Sequence, residues 1–323
     1  MLGLGTAAGS GLLLAACAGP SGPSAPAPVG GAGFPVTITD KFGPVTVDGA
    51  PARIASVGRT DHDVLLALGI TPATVYRFVP SMTRGVGVWA LPRLGAANPA
   101  IVSAPLNFEQ IAAVAPDLVL NVQSSGDASE YHTLSQLAPT IGLPPDTAPN
   151  TVSWRDSARI IARAVGRPGD GDSLVVDTET TLAKARAANP KLAGHTVSVL
   201  LGAGEQLGVY TVRDTRMQVL TALGLRPTAY LTGLDPAKFY VTLSPELIAD
   251  ADADVVVLLT RDGLSEAAAL TRYPVLAPLR DGPRPRLVVV EDDNIALALS
   301  NASVLSIPYA VAGLLPLLTA RLG

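Results

Sequence analysis

The chain has 323 residues, 48% of them hydrophobic, with 23 Lys and Arg against 27 Asp and Glu, a net charge of -4 and a single cysteine. That length and apolar content can fill a core large enough for two compact units. One thiol excludes a disulfide framework and Cys-rich zinc or iron–sulfur sites, and sparse, balanced charge excludes a global field that would gather nucleic acid.

Residues 1–16 are uncharged and rich in Leu, Ala and Gly. The run is shorter than the roughly 20 apolar residues that span a bilayer, and it reads as a signal-peptide h-region. Cys17 closes it in Leu14-Ala15-Ala16-Cys17. No Lys or Arg precedes the h-region, so the expected start lies upstream. Residues 18–34 scatter Pro20, Pro23, Pro26 and Pro28 among Gly, Ser and Ala, a composition that stays extended and reads as a tether.

An N-terminal α/β lobe is expected over 35–167. VTITD and PVTV predict an antiparallel ribbon around Gly43-Pro44. RIASVG (53–58) reads as a strand and DVLLALG (63–69) as a helix. ATVYRF, FEQIAAVAP, DLVLNVQ, YHTLSQLAP and PTIGLP continue the alternation, which predicts parallel βα units.

Residues 168–190 are good helix formers with apolar Leu174, Val175, Leu182 and Ala185 near helical spacing. At 1.5 Å per residue this linker helix reaches roughly 30 Å. A C-terminal α/β lobe over 191–323 repeats the grammar with TVSVLLG, GVYTV, MQVLTALGL, PELIADA, DVVVLLT and RLVVVED. Val304 to Ala320, interrupted by Pro308 and Pro316, reads as a buried pair of helices. Glu109-Gln110-Ile111-Ala112 before Asp117-Leu118-Val119 has the same shape as Glu246-Leu247-Ile248-Ala249 before Asp254-Val255-Val256.

No Cys nucleophile, G-x-S-x-G, Walker-type loop or H-E-x-x-H is present, so no enzyme class is indicated. Ser124-Ser125-Gly126 follows a strand and reads as a ligand-contacting or capping loop. His62, His132 and His195 with Asp292 or Asp293 form an alternative N/O metal set. His195 precedes its strand, however, whereas ligands gather at strand carboxyl ends.

Arg59, Arg77, Ser124 and Asn294 follow strands, Tyr210 and Arg213 sit around GVYTV, and Arg84 and Trp89 lie in the glycine-punctuated loop SMTRGVGVW. The Trp89 ring packs either on a ligand or against its lobe. Arginines in these positions on an acidic chain predict a cleft for an anionic ligand.

Leu14-Ala15-Ala16-Cys17 resembles a bacterial lipobox, which implies an acylated Cys17. VTITDKFGPVTVDGAPARIASVG, GVGVW, NFEQIAAVAPDLVLNV, YHTLSQLAPT, FYVTLSPELIADADADVVVLL and ALSNASVLSIPYAV, in that order, resemble the iron-siderophore solute-binding lipoproteins of bacterial ABC importers. The resemblance implies two Rossmann-like α/β lobes with mostly parallel sheets joined by one long linker helix, and a ligand cleft between the lobes. It also implies capture of a ferric siderophore, a lipid-anchored position outside the cytoplasmic membrane, and docking of Glu109 and Glu246 on a dimeric permease. The implied receptor is a monomer with no cofactor and no nucleic acid partner. Haem, with Tyr210 as axial ligand, and a divalent metal held by histidines are the alternative cargoes.

Overall fold

The computed structural model describes residues 33–235, 238–260 and 263–322. The chain opens with β1 (Val36–Asp40) and β2 (Gly43–Val47), an antiparallel hairpin in which Asp40 faces Gly43. The turn therefore lies at Lys41-Phe42, two residues ahead of the expected Gly43-Pro44, because the Phe42 N–H is taken by the Asp40 carboxylate at 2.8 Å. Asp40 also accepts the Gly142 N–H at 2.8 Å, which docks the hairpin on the first lobe.

That lobe alternates β3 (Ile54–Ser56), α1 (Asp61–Ala67), β4 (Thr74–Tyr76), α2 (Leu91–Leu94), β5 (Ala100–Val102), α3 (Phe108–Ala113), β6 (Leu118–Leu120), α4 (Ala128–Ser135) and β7 (Thr140–Ile141). Its five strands are all parallel, in the order β5-β4-β3-β6-β7. Short apolar strands such as LVL are buried on both faces, as a helix-covered parallel sheet requires. Asn107 and Asp127 cap α3 and α4 by accepting the N–H three residues on.

α5 (Trp154–Ala164) buries Trp154, Ser157, Ala158, Ile161 and Ala162, an i, i+3, i+4 stripe, against α6 (Pro168–Ala188). α6 is polar nearly all round and buries only Gly171, Val175, Thr178 and Leu182. Gly171 permits the close approach: a Cβ there would stand 2.5 Å from that of Ala162. Pro168 sits in the first turn, where its missing N–H costs nothing. This helix is the link between the two sheets.

The second lobe follows with β8 (Thr196–Ala203), β9 (Gln206–Tyr210), α7 (Thr215–Ala222), β10 (Arg226–Pro227), α8 (Ala229–Thr232), β11 (Tyr240–Leu243) and a 3-10 turn (Pro245–Ala249). It continues with β12 (Val255–Thr260), α9 (Glu266–Arg272), α10 (Ala277–Asp281), β13 (Leu287–Val290), α11 (Asp293–Ser300) and α12 (Ser306–Leu322). The sheet runs β11-β9-β8-β12-β13, with β10 also paired to β8. β8, β10, β12 and β13 are parallel, whereas β9 and β11 run against their neighbours.

The C-terminal segment is one helix, not a pair. Pro308 falls in its first turn, and Pro316 is accommodated inside it. A continuous apolar core runs from Leu65 and Trp154 through Val175 and Leu182 to Leu200 and Leu314. A smaller cluster around Ile111, Val119 and Leu134 fills the other face of the first sheet. Among the described residues no helix is long and apolar enough to cross a membrane.

Candidate functional site

In the first lobe the carboxyl ends of β3, β4 and β6 open on a cavity of about 210 Å³ lined by Arg59, Tyr76, Phe78, Asn121, Gln123, Ser124 and Glu130, among others. Its wall is built on the α1 entry. Asp61 is fully buried, and its two oxygens accept the Val122 and Gln123 N–H groups at 2.8 and 3.1 Å. Gln123 in turn accepts the Arg59 N–H through its carbonyl at 2.9 Å. Burial pushes the Asp61 carboxyl up to about 6, although the two N–H groups pull the other way.

Arg59 packs over Phe78, 5.1 Å from the ring centroid, and its Nε is buried without a hydrogen-bond partner. Phe78 itself is 38% exposed. Burial pushes the Arg59 guanidinium down to about 10, and the charge of Arg216 adds to the effect against the opposing pull of Asp214, Tyr210 and Tyr76.

Arg216 belongs to the other lobe. It sits in the first turn of α7, where Asp214 caps the helix and accepts the Arg216 guanidinium at 2.8 Å. Its guanidinium carbon stands 3.9 Å from the Tyr210 ring centroid, and its Nε donates to Ser300 Oγ at 3.2 Å. Burial works against the charge on Arg216, but Asp214 and Tyr210 outweigh it and raise the group above its ordinary value. Asp214 thus pairs with Arg216, and its charge also reaches Arg59 of the opposite lobe.

Of the residues singled out in the sequence, Arg59 and Ser124 line this cavity, and Tyr210 lies 4% exposed under Arg216. Arg213 lines a neighbouring opening of about 650 Å³ with Lys238, facing Asp146 and Asp156 of the first lobe. Arg77 is half-buried between Tyr76 and Phe78 but is not among the cavity-lining residues.

Arg84 and Trp89 are engaged elsewhere. Arg84 donates to the carbonyls of Gly95 and Ala97 at 2.9 and 2.6 Å, and the Trp89 indole N–H donates to Asp63 at 2.8 Å. They meet Asn294 around a separate gap of about 40 Å³. The physical reason is the direction of β9. Because it runs against β8, its Tyr210 end points away from the carboxyl end of β13, where Asn294 lies in the first turn of α11. The rule that ligands meet strand carboxyl ends serves the first lobe, but in the second it separates Asn294 from Tyr210 and Arg213.

Glu109 is exposed in the first turn of α3, and Glu246 lies in the 3-10 turn Pro245–Ala249. Cys17 lies outside the described residues. His62 is buried in α1, His132 is on α4, and His195 precedes β8. No group of three His, Cys, Asp or Glu side chains that could hold a metal occurs among the described residues.

Sequence reasoning missed Arg216, Asp214 and Phe78. One signal for Arg216 was available: a cation in the first turn of a helix stands where the macrodipole disfavours it.

A sequence profile for the periplasmic binding proteins matches residues 54–277. The Fe(3+) dicitrate-binding periplasmic protein FecB of Escherichia coli is 26% identical over 206 residues, covering 62% of this chain and 65% of FecB, just short of two thirds of its length. A periplasmic solute binding protein from Mycobacterium smegmatis superposes with a TM-score of 0.78 at 29% identity, over 89% of this chain and 99% of that one. Streptococcus pneumoniae PiaA, in complex with ferrichrome, gives 0.75 at 29% identity over 88% and 98%.

Proposed function

The chain belongs to the periplasmic binding protein family, and from that premise we propose that it captures a ferric siderophore outside the cytoplasmic membrane and delivers it to an ABC permease. Its fold is that of the iron and siderophore substrate-binding proteins of ABC transport, which are not enzymes. One observation supports the anionic, metal-chelate character of the ligand above the others: Arg59 and Arg216, on different lobes, are near enough for the charge of Arg216 to lower the Arg59 guanidinium, and Asp214 is ion-paired with Arg216.

A guanidinium whose Nε is buried and unpartnered is costly until an oxygen-rich anion pairs with it. The deprotonated oxygens around a ferric ion supply such an anion, and the exposed Phe78 ring offers surface to its organic frame. Arg213 and Lys238 extend the cationic side towards the larger opening.

Delivery follows from Glu109 and Glu246, one per lobe, meeting the two subunits of a permease dimer. Acylation of Cys17, with residues 18–34 as tether, holds a monomeric receptor at the outer face of the membrane and raises its encounter concentration with the permease.

Fluorescence titration with ferric dicitrate, ferrichrome, haem and free divalent metals tests the cargo. Saturable quenching by a ferric chelate supports the reading, and quenching by haem alone overturns it. Palmitate labelling that is lost in Cys17→Ser tests the anchor.

A further inference from the structure

The first turn of α1 carries a second buried carboxylate that the cleft does not use. Asp63 is 1% exposed and makes no cap bond for its own helix. Its Oδ2 accepts the Trp89 indole N–H at 2.8 Å and the Ser303 hydroxyl at 2.5 Å. Ser303 belongs to the other lobe, between α11 and α12, and is 3% exposed. Its oxygen accepts the Leu305 and Ser306 N–H groups at 3.3 and 3.0 Å, which leaves its one proton for Asp63.

These bonds lie on a short path between the two arginines. Arg59 donates to the carbonyl of Gln123, and the Gln123 N–H is held by Asp61, two residues before Asp63 on the same turn. On the far side, Ser303 follows α11 directly, and Ser300 at the end of α11 accepts from Arg216. A charge-assisted bond in a dry environment is strong and directional.

We infer that Asp63 is a positioning residue: its bond to Ser303 sets the separation of the two lobes, and through it the spacing of Arg59 and Arg216. The effect on ligand affinity rests on the siderophore reading above, whereas the effect on lobe separation does not.

The test is a pulsed electron spin resonance distance measurement on the ligand-free full chain carrying Cys17→Ser, with labels at Gln136→Cys and Ala267→Cys, exposed positions on the two lobes. Ser303→Ala and Asp63→Asn are expected to broaden and shift the distance distribution, and Ser303→Thr, which keeps the hydroxyl, to restore it. Ser306→Ala removes two neighbouring bonds, the one its hydroxyl accepts from the Ser303 N–H and the one it donates to the Asn301 carbonyl, but leaves the Asp63–Ser303 bond, so it is expected to keep the parent distribution. Ferric dicitrate affinity should fall about tenfold in Ser303→Ala and recover in Ser303→Thr.

An unchanged distribution in Ser303→Ala overturns the inference, as does equal broadening in Ser306→Ala, which would assign the effect to local packing. Absence of binding of both ferric dicitrate and ferrichrome in the parent chain would count against the ligand reading and leave the distance result standing.

Discussion

Asp117 and Asp254 close the same strand start in the two lobes. Asp117, entering β6, accepts the Ala52 and Arg53 N–H groups at 2.8 Å each, just before β3. Asp254, entering β12, accepts the N–H and the hydroxyl of Thr196, the first residue of β8, at 2.8 Å each. β3 pairs with β6 as β8 pairs with β12, so the local pattern repeated in the sequence is also repeated in its bonding. Glu109 and Glu246 stand at matching distances before these aspartates.

That equivalence bears on the paired glutamates. Glu109→Ala with Glu246→Ala is expected to abolish chelate uptake in cells relying on this receptor, while purified protein binds ligand as before. Radioactive iron uptake alongside a fluorescence titration checks it. Normal transport by the double variant would remove the docking role.

The two cleft arginines should respond in opposite ways. Arg59→Gln removes a half-buried cation whose Nε is buried and unpartnered, so the ligand-free protein is expected to melt at a higher temperature while chelate affinity falls about a hundredfold. Arg216→Gln leaves the buried Asp214 without its ion pair, so stability is expected to fall by about 3 kcal/mol along with binding. Calorimetry with and without ferric dicitrate separates the two outcomes.

Asp61 makes stability fall between acid and neutral pH. Burial raises its carboxyl from the ordinary 3.8 to about 6, so the folded state holds the proton more tightly than the unfolded chain. Its contribution is complete below the unfolded value and is lost as pH rises through about 6. In Asp61→Asn that loss is absent. The change in unfolding free energy from about pH 4 to about pH 7 should then be more positive than in the parent, by on the order of 2 kcal/mol. Asp254 works in the other sense: the Thr196 bonds hold its carboxyl below the ordinary range, and its contribution disappears as pH falls. Urea unfolding at the two pH values gives the difference.

Gly58 is required by Asp61. A Cβ at this position would stand 2.0 Å from Asp61 Oδ2 and 2.5 Å from its Cγ. Gly58→Ala is expected to push the carboxylate off the Val122 and Gln123 N–H groups and to cost about 2 kcal/mol, with weaker chelate binding because Arg59 follows directly. A variant matching the parent in both urea midpoint and titration would show that the turn can yield.

The alternating strands and helices, the linker helix and the repeated Glu and Asp pattern were legible because each depends on neighbours a few residues away. Alternation and i+4 spacing are read in a short window. The single cysteine after an apolar run was legible in the same way. The site was less so. Arg59 stood out because it follows a parallel strand, whereas the place of Tyr210 and Arg216 depends on the reversed direction of β9, which pairing across the sheet decides.

The sequence alone thus determined two α/β units joined by a helix, an acidic chain with arginines at strand ends, and a candidate anchor at Cys17. Tertiary structure alone decided which of those side chains meet. Trp89 found a buried carboxylate instead of open cleft, Arg84 found backbone carbonyls, and Asp63 found a serine 240 residues away. Burial and long-range hydrogen bonding select such partners, and neither has a period that a sequence window can carry.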